Sequence, residues 1–290
     1  MPSSSRRQRP QLPHAGAGAV MLIGGAEDKL KARRILSTFV RLAGGPEAHI
    51  VVVSTASMLG DVTTDTYKEI FTELGAARVS GMRPKERREA EDPKVAATLV
   101  EATGVFLTGG NQLRLTSIVA GTRLDSSLHL AHDRGAVIAG TSAGASALAG
   151  HMLAFGDSGA TPRHGIVQLA AGLGLVPNIV VDQHFEERTR LGRLLSAIAQ
   201  SPSLIGIGLD EDTAAIVSAD RRMEVLGRGA VTVVDGSRME TDAFRLRGRR
   251  PMMISGAILH SIPSGYAFDL RARTLVSDEG GTRTEREASE

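Results

Sequence analysis

"GAVIAGTSAGASALAG", residues 135–150, decides how the rest of the chain is read. The apolar run Ala136 to Ala139 reads as a strand buried on both faces, and Gly140-Thr141-Ser142-Ala143-Gly144 as a sharp turn into a helix of small residues. The stretch lies in a run without charged side chains, 135–155, which is long enough for a membrane span. Its glycines, its hydroxyl residues and His151 are poor choices for a lipid-facing helix. Strand, turn and helix is the expectation.

Three earlier pieces have the same character: "AVMLIGG" at 19–25, "HIVVVSTAS" at 49–57 and "GVFLTGG" at 104–110. Helical patterns separate them, near 28–42, 63–74, 92–101 and 123–134. This alternation predicts an α/β fold, a mostly parallel central sheet flanked by helices on both faces. After about residue 204 the pieces "LIGIGLD", "TAAIVSA", "MEVLG" and "AVTVVDG" follow closely on one another. They are expected to be antiparallel strands extending the same sheet toward the C-terminus. No linker or internal repeat divides the chain, so a single domain over 19–277 is expected. A disordered arm, 1–18, would precede it and a mobile polar tail, 278–290, would follow.

Composition narrows the function classes. Of 290 residues 42% are hydrophobic, with seven Phe, two Tyr and no Trp, so the core must be mainly aliphatic. Cysteine is absent, which excludes disulfides and thiol catalysis. The formal net charge is only +2. Arginine gathers at the edges, in Arg6, Arg7 and Arg9 and in Arg245, Arg247, Arg249 and Arg250, without interleaved stacking residues, and this argues against a nucleic-acid partner. The basic N-terminus has no apolar stretch behind it, so it is no secretory signal. A cytoplasmic protein with no membrane partner is expected.

Ligands gather at the carboxyl ends of strands in open parallel sheets, and three such ends carry glycine turns: Gly24-Gly25, Gly109-Gly110 and the turn around Ser142. A serine between glycines on a strand-to-helix turn stands clear of the sheet, and the same turn aims the Ala143 N–H at a developing oxyanion. A hydroxyl needs a base. His184, in "IVVDQHFEERTRLGRL", directly follows an apolar run and is the best placed of eight histidines. The base in turn needs a carboxylate to hold its tautomer, and Glu211 in "GIGLDEDTAAIV" and Asp157 in "FGDSGATP" both stand as candidates. A non-catalytic nucleotide or polyanion binder, cradling phosphate on the two Gly-Gly turns, is the rival of another class. No full G-x-G-x-x-G or Walker frame supports it.

With "IGGAEDK" at 23–29, "VVVSTAS" at 51–57, "FLTGGNQLRLT" at 106–116, "GTSAGAS" at 140–146, "VDQHFEERTRLGRL" at 181–194 and "GIGLDEDTA" at 206–214, the chain resembles the cyanophycinases, serine exopeptidases related to aspartyl dipeptidase. The resemblance implies an α/β fold distinct from the α/β-hydrolases. Ser142 would be the nucleophile, His184 the base and Glu211 the orienting acid, with the amides of Ala143 and Gly110 as oxyanion hole. No metal or organic cofactor is implied, and a homodimer is. The implied partner is cyanophycin, a polyaspartate whose β-carboxyls each carry an arginine through an isopeptide bond. Arg188, Arg190 and Arg193 would meet its carboxylates, Asp182 its guanidinium, and Gln112 and Gln183 would add neutral contacts. The plain alternative for these arginines is a solvated helix face pairing with Glu186 and Glu187. Asn111 stands where the family often has Asp. A related aspartyl or isoaspartyl dipeptidase acting on small peptides is the nearest alternative activity.

Overall fold

The computed structural model of the protein describes residues 16–276. The expected arm, 1–18, falls almost wholly outside them, and the tail, 278–290, entirely. Five strands form the parallel heart of a nine-stranded sheet. Val20–Ile23 pairs with Val137–Thr141, which pairs with Gly104–Leu107, then His49–Val53, then Arg78–Met82. The first four match the four apolar runs of the sequence, because a strand covered on both faces tolerates no polar alternation. Odd and even positions divide between two cores. Met21, Ile23, Ile50, Val52 and Phe106 pack on helices Arg34–Leu42 and Asp61–Glu73. Val20, Leu22, Val51, Val53 and Leu107 pack the other way, on helices Gln112–Val119, Arg123–Asp133 and Ala143–Leu148.

The last third of the chain divides between two sheets, which corrects the expectation that all of its strands extend the first. Thr213–Val217 and Arg222–Gly227 do extend it, antiparallel, beyond Val20–Ile23. Ile205–Leu209 instead pairs in parallel with Val176–Gln183, in a six-stranded sheet that also takes in Ala149–Gly156, Val167–Ala171, Ala230–Asp235 and Ile258–Pro263. Ile179, Val181, Ile207 and Val231 of this second sheet join the core below the first, and helix Leu191–Gln200 covers its far face through Leu194 and Ile198. The chain crosses between sheets at 210–212. That crossing sets a short acidic loop beside the strand ends of both.

One helix begins later than its sequence pattern. The pattern at 28–42 yields a helix only from Arg34. The Asp28 carboxylate accepts the amides of Lys31, Arg33 and Leu30 at 2.9, 3.0 and 3.0 Å, closing a turn in place of a first helical turn. Those amides hold the carboxyl well below its ordinary range. The uncharged run at 135–155 is strand, turn, helix and strand, and among the described residues no helix is long and apolar enough to cross a membrane.

Candidate active site

Ser142 sits at φ 52°, ψ −113°, a conformation that L residues rarely adopt. Its neighbours explain how the turn holds. A Cβ added to Gly140 would lie 2.5 Å from the Gly144 carbonyl carbon, and one added to Gly144 would lie 2.4 Å from the Leu107 carbonyl oxygen. Only glycine at both positions lets the strand turn directly into the helix while it packs on Gly104–Leu107. The Ser142 N–H donates to the Ile23 carbonyl at 2.9 Å, which ties the elbow to the adjacent strand end.

His184 follows the last residue of Val176–Gln183 and also has positive φ, 48°. Its N–H donates to Gly24 O at 3.0 Å, and the Phe185 N–H to Leu209 O at 3.0 Å, so the two sheets are stitched together at the histidine. The imidazole Nε2 lies 2.9 Å from Ser142 Oγ and Nδ1 lies 2.6 Å from Glu211 Oε1. Glu211 comes from the crossing loop, which is fastened by Asp212 N–H to Gly25 O at 2.9 Å. Asp157 is elsewhere, exposed and paired with Arg249 at 2.5 Å. Of the two candidate acids, the fold therefore brings Glu211 to the imidazole.

Gly25 is the histidine's floor. A Cβ there would stand 2.4 Å from His184 Cε1 and 2.7 Å from Nε2, at φ 102°. We expect Gly25→Ala to fold yet lose at least about a hundredfold in kcat, since a displacement near 1 Å suffices for that. Circular dichroism paired with turnover checks it, and an active, folded Gly25→Ala protein contradicts the geometry.

The turn Gly109-Gly110 faces the serine: a Cβ on Gly109 would lie 3.3 Å from Ser142 Cβ. Gly110, at φ 142°, packs on the Ala56 carbonyl, and no acceptor for its N–H exists among the described residues. The Ala143 N–H opens a helix, where the first amides have no intrahelical partner. Asn111 accepts the Arg114 N–H at 3.0 Å as the cap of the next helix, a task that Asp performs equally well.

A groove of about 630 Å³ opens at Ser142 and His184, within the usual size for a small-ligand site. Its inner wall holds a group the sequence reading passed over. Glu27, buried, accepts from Thr141 Oγ1 at 2.6 Å and from the Tyr67 phenol, and pairs with Lys29 at 2.9 Å. Burial first, and then the Glu27 charge, push the Tyr67 hydroxyl well above its ordinary pKa, so it stays a donor. The signal was present in "IGGAEDK": an acid two residues past the pair of glycines that follows a strand end.

The expected substrate ligands divide into two sets. Arg188 is exposed, as a ligand-facing arginine must be. Asp182 is fully buried and holds Arg193, through Nε at 2.6 Å and through Nη2, and Arg190 at 3.4 Å. This corrects the expectation of Asp182 open to a guanidinium of the substrate, and equally of Arg190 and Arg193 on a solvated helix face. Arg190 precedes the helix and Arg193 lies on its buried side. Burial pulls the Arg190 guanidinium down to about 10, with Asp182 opposing. The Gln112 amide nitrogen donates to Leu153 O at 2.7 Å. Gln183 Oε1 and Arg190 Nε are buried with no partner among the described residues.

A serine bonded to an imidazole, itself bonded to a carboxylate, at the strand ends of an α/β sheet and open to a groove, defines a serine-type hydrolase. The model of Peptidase family S51 matches residues 20–225. The cyanophycinases of Trichormus variabilis and a Nostoc species are 41% identical over 266 residues, spanning 91% of this chain and 89% of each relative. That of Synechococcus elongatus is 41% identical over 265 residues, spanning 90% of this chain and 82% of its own. A crystal structure of a peptidase from an acI-B1 Actinobacterium, 20% identical, superposes with a TM-score of 0.66 over 87% of this chain and 97% of that one, and shares its fold. The chain belongs to peptidase family S51 and is a serine-type peptidase.

Proposed function

We propose that this peptidase is a cyanophycinase, cutting the α-peptide bond between aspartyl units of cyanophycin and releasing β-Asp-Arg dipeptides. The observation that carries the reading is the continuous relay from Ser142 through His184 to Glu211, 2.9 and 2.6 Å, at the mouth of the groove. Ser142 Oγ attacks the scissile carbonyl as His184 Nε2 takes its proton. Glu211 holds the Nδ1 proton and stabilises the imidazolium. The amides of Ala143 and Gly110 receive the oxyanion. His184 then gives the proton to the leaving amine, which leaves an acyl-enzyme on Ser142. Water, deprotonated by the same imidazole, hydrolyses that ester.

Substrate choice follows the activity for which the relatives are named and two local features. Two guanidinium groups face one carboxylate in the Asp182 cluster, so the cluster itself carries one positive charge in excess. Arg188, exposed and close enough to Arg190 for the two charges to oppose each other, adds a second positive charge, one that a carboxylate of the substrate can reach. The cytoplasmic location and the homodimer implied by the family resemblance belong to the same proposal. Incubation with insoluble cyanophycin, followed by mass spectrometry of the soluble fraction, is expected to show β-Asp-Arg as the main product. Turnover of short aspartyl peptides with intact polymer would move the assignment to a dipeptidase.

A further inference from the structure

Besides His184, the groove is lined by two ionisable groups of full charge, Glu27 and Lys29. They differ in access. The Glu27 side chain is 1% exposed, whereas Lys29 keeps 33%. Lys29 is therefore the one permanent charge of the groove wall, among the described residues, that a ligand can reach. The groove lining also includes three exposed apolar side chains, Met58, Leu59 and Val62.

The ammonium is held in place rather than free to swing. It lies 2.9 Å from Glu27 Oε1, donates to Glu27 O at 3.4 Å, and stands 5.4 Å from the centre of the Tyr67 ring. An ammonium has three N–H donors, so one remains for a ligand. Through Glu27 and the 2.6 Å bond to Thr141, it is tied to the residue that precedes the nucleophile. A cation fixed beforehand loses little freedom when an anion binds. A lysine serving only to neutralise Glu27 would be best placed if closed off with it.

Building on the cyanophycinase reading, we propose that Lys29 anchors a carboxylate of the aspartyl unit next to the scissile bond and so determines specificity at the groove. Such a unit offers two carboxylates of the same chemistry: the main-chain terminus and the α-carboxylate of its arginine. Neither the nucleophile nor the base is involved, so the anchor acts on substrate affinity and leaves proton transfer alone.

Calorimetry on the Ser142→Ala protein separates the possibilities with three soluble probes. The first is an aspartyl-aspartate peptide carrying arginine on each β-carboxyl. The second is the same peptide with a C-terminal amide, and the third has its arginine carboxylates amidated. The parent is expected to bind about tenfold more tightly than one of the two amides, the scale of a hydrogen bond to a charged group, and the weaker amide identifies the anchored carboxylate. Adding Lys29→Met is expected to erase that difference, and Lys29→Arg to restore part of it. Equal weakening of all three probes by Lys29→Met, as a purely structural tie to Glu27 would cause, overturns the proposal, as does no weakening or no binding. Cleavage of the parent peptide by the wild-type protein is scored separately: selective binding without cleavage overturns the cyanophycinase reading and leaves the anchor standing.

Discussion

Ser142→Ala is expected to lower kcat on an aspartyl peptide by on the order of a million-fold, and adding His184→Ala to that variant is expected to lose almost nothing further. The reason is the relay geometry. With Ser142 Oγ 2.9 Å from Nε2, hydroxyl and imidazole act as one nucleophile, and removing either removes both. What remains is binding and the two oxyanion amides, each contributing about 3 kcal/mol to the transition state. Glu211→Gln is expected to cost about ten-thousand-fold, because the amide stabilises the wrong tautomer of His184 while leaving its position unchanged. Asp157→Asn is expected to stay near wild type, since that carboxylate faces Arg249 on the surface. Steady-state kinetics on the four proteins decides the matter: two independent losses that multiply would mean that serine and histidine do not work as a unit.

The parts of this site that were legible in the sequence are those written into strand ends. Apolar runs mark where parallel strands deliver their carboxyl ends, and Ser142, His184 and Glu211 each stand one or two residues past the end of such a strand. The choice between Glu211 and Asp157 was not legible, because it depends on a crossing between sheets at 210–212 that no local pattern encodes. The second sheet was hidden for a related reason. Ile205–Leu209 pairs with Val176–Gln183 in this fold, yet its apolar run is equally suited to the first sheet. The start of helix Arg34–Leu42 was masked by Asp28, whose carboxylate competes for the very amides that periodicity assigns to a helix. The arginines show what spacing omits: Arg190 and Arg193 do lie together, but helical spacing gives a face and not a depth.

That depth gives the Asp182 charge a structural task. Its carboxylate is fully enclosed and holds Arg193 through two bonds and Arg190 through a third. The arginines are further fixed on backbone carbonyls, Arg190 on that of Gln183 and Arg193 on that of Gly156 at 2.9 Å. The cluster thus joins the strand Val176–Gln183, which leads into His184, to helix Leu191–Gln200 and to the end of Ala149–Gly156. Removing one partner of a buried pair strands the other in a medium that cannot solvate it, at a cost of about 3–5 kcal/mol. Asp182→Ala, which leaves two guanidinium groups uncompensated, is expected to fall in that range by urea unfolding, with loss of activity following from the displaced His184. Replacing the whole triad, Asp182→Leu with Arg190→Met and Arg193→Met, is expected to recover much of the stability, because apolar groups of similar volume avoid the desolvation cost and leave no guanidinium stranded. Had Asp182 met the guanidinium of the substrate as its main partner, Asp182→Ala would raise KM with the unfolding midpoint unmoved. The two roles thus predict opposite behaviour in a single variant, and the midpoint reads out which one the buried carboxylate serves.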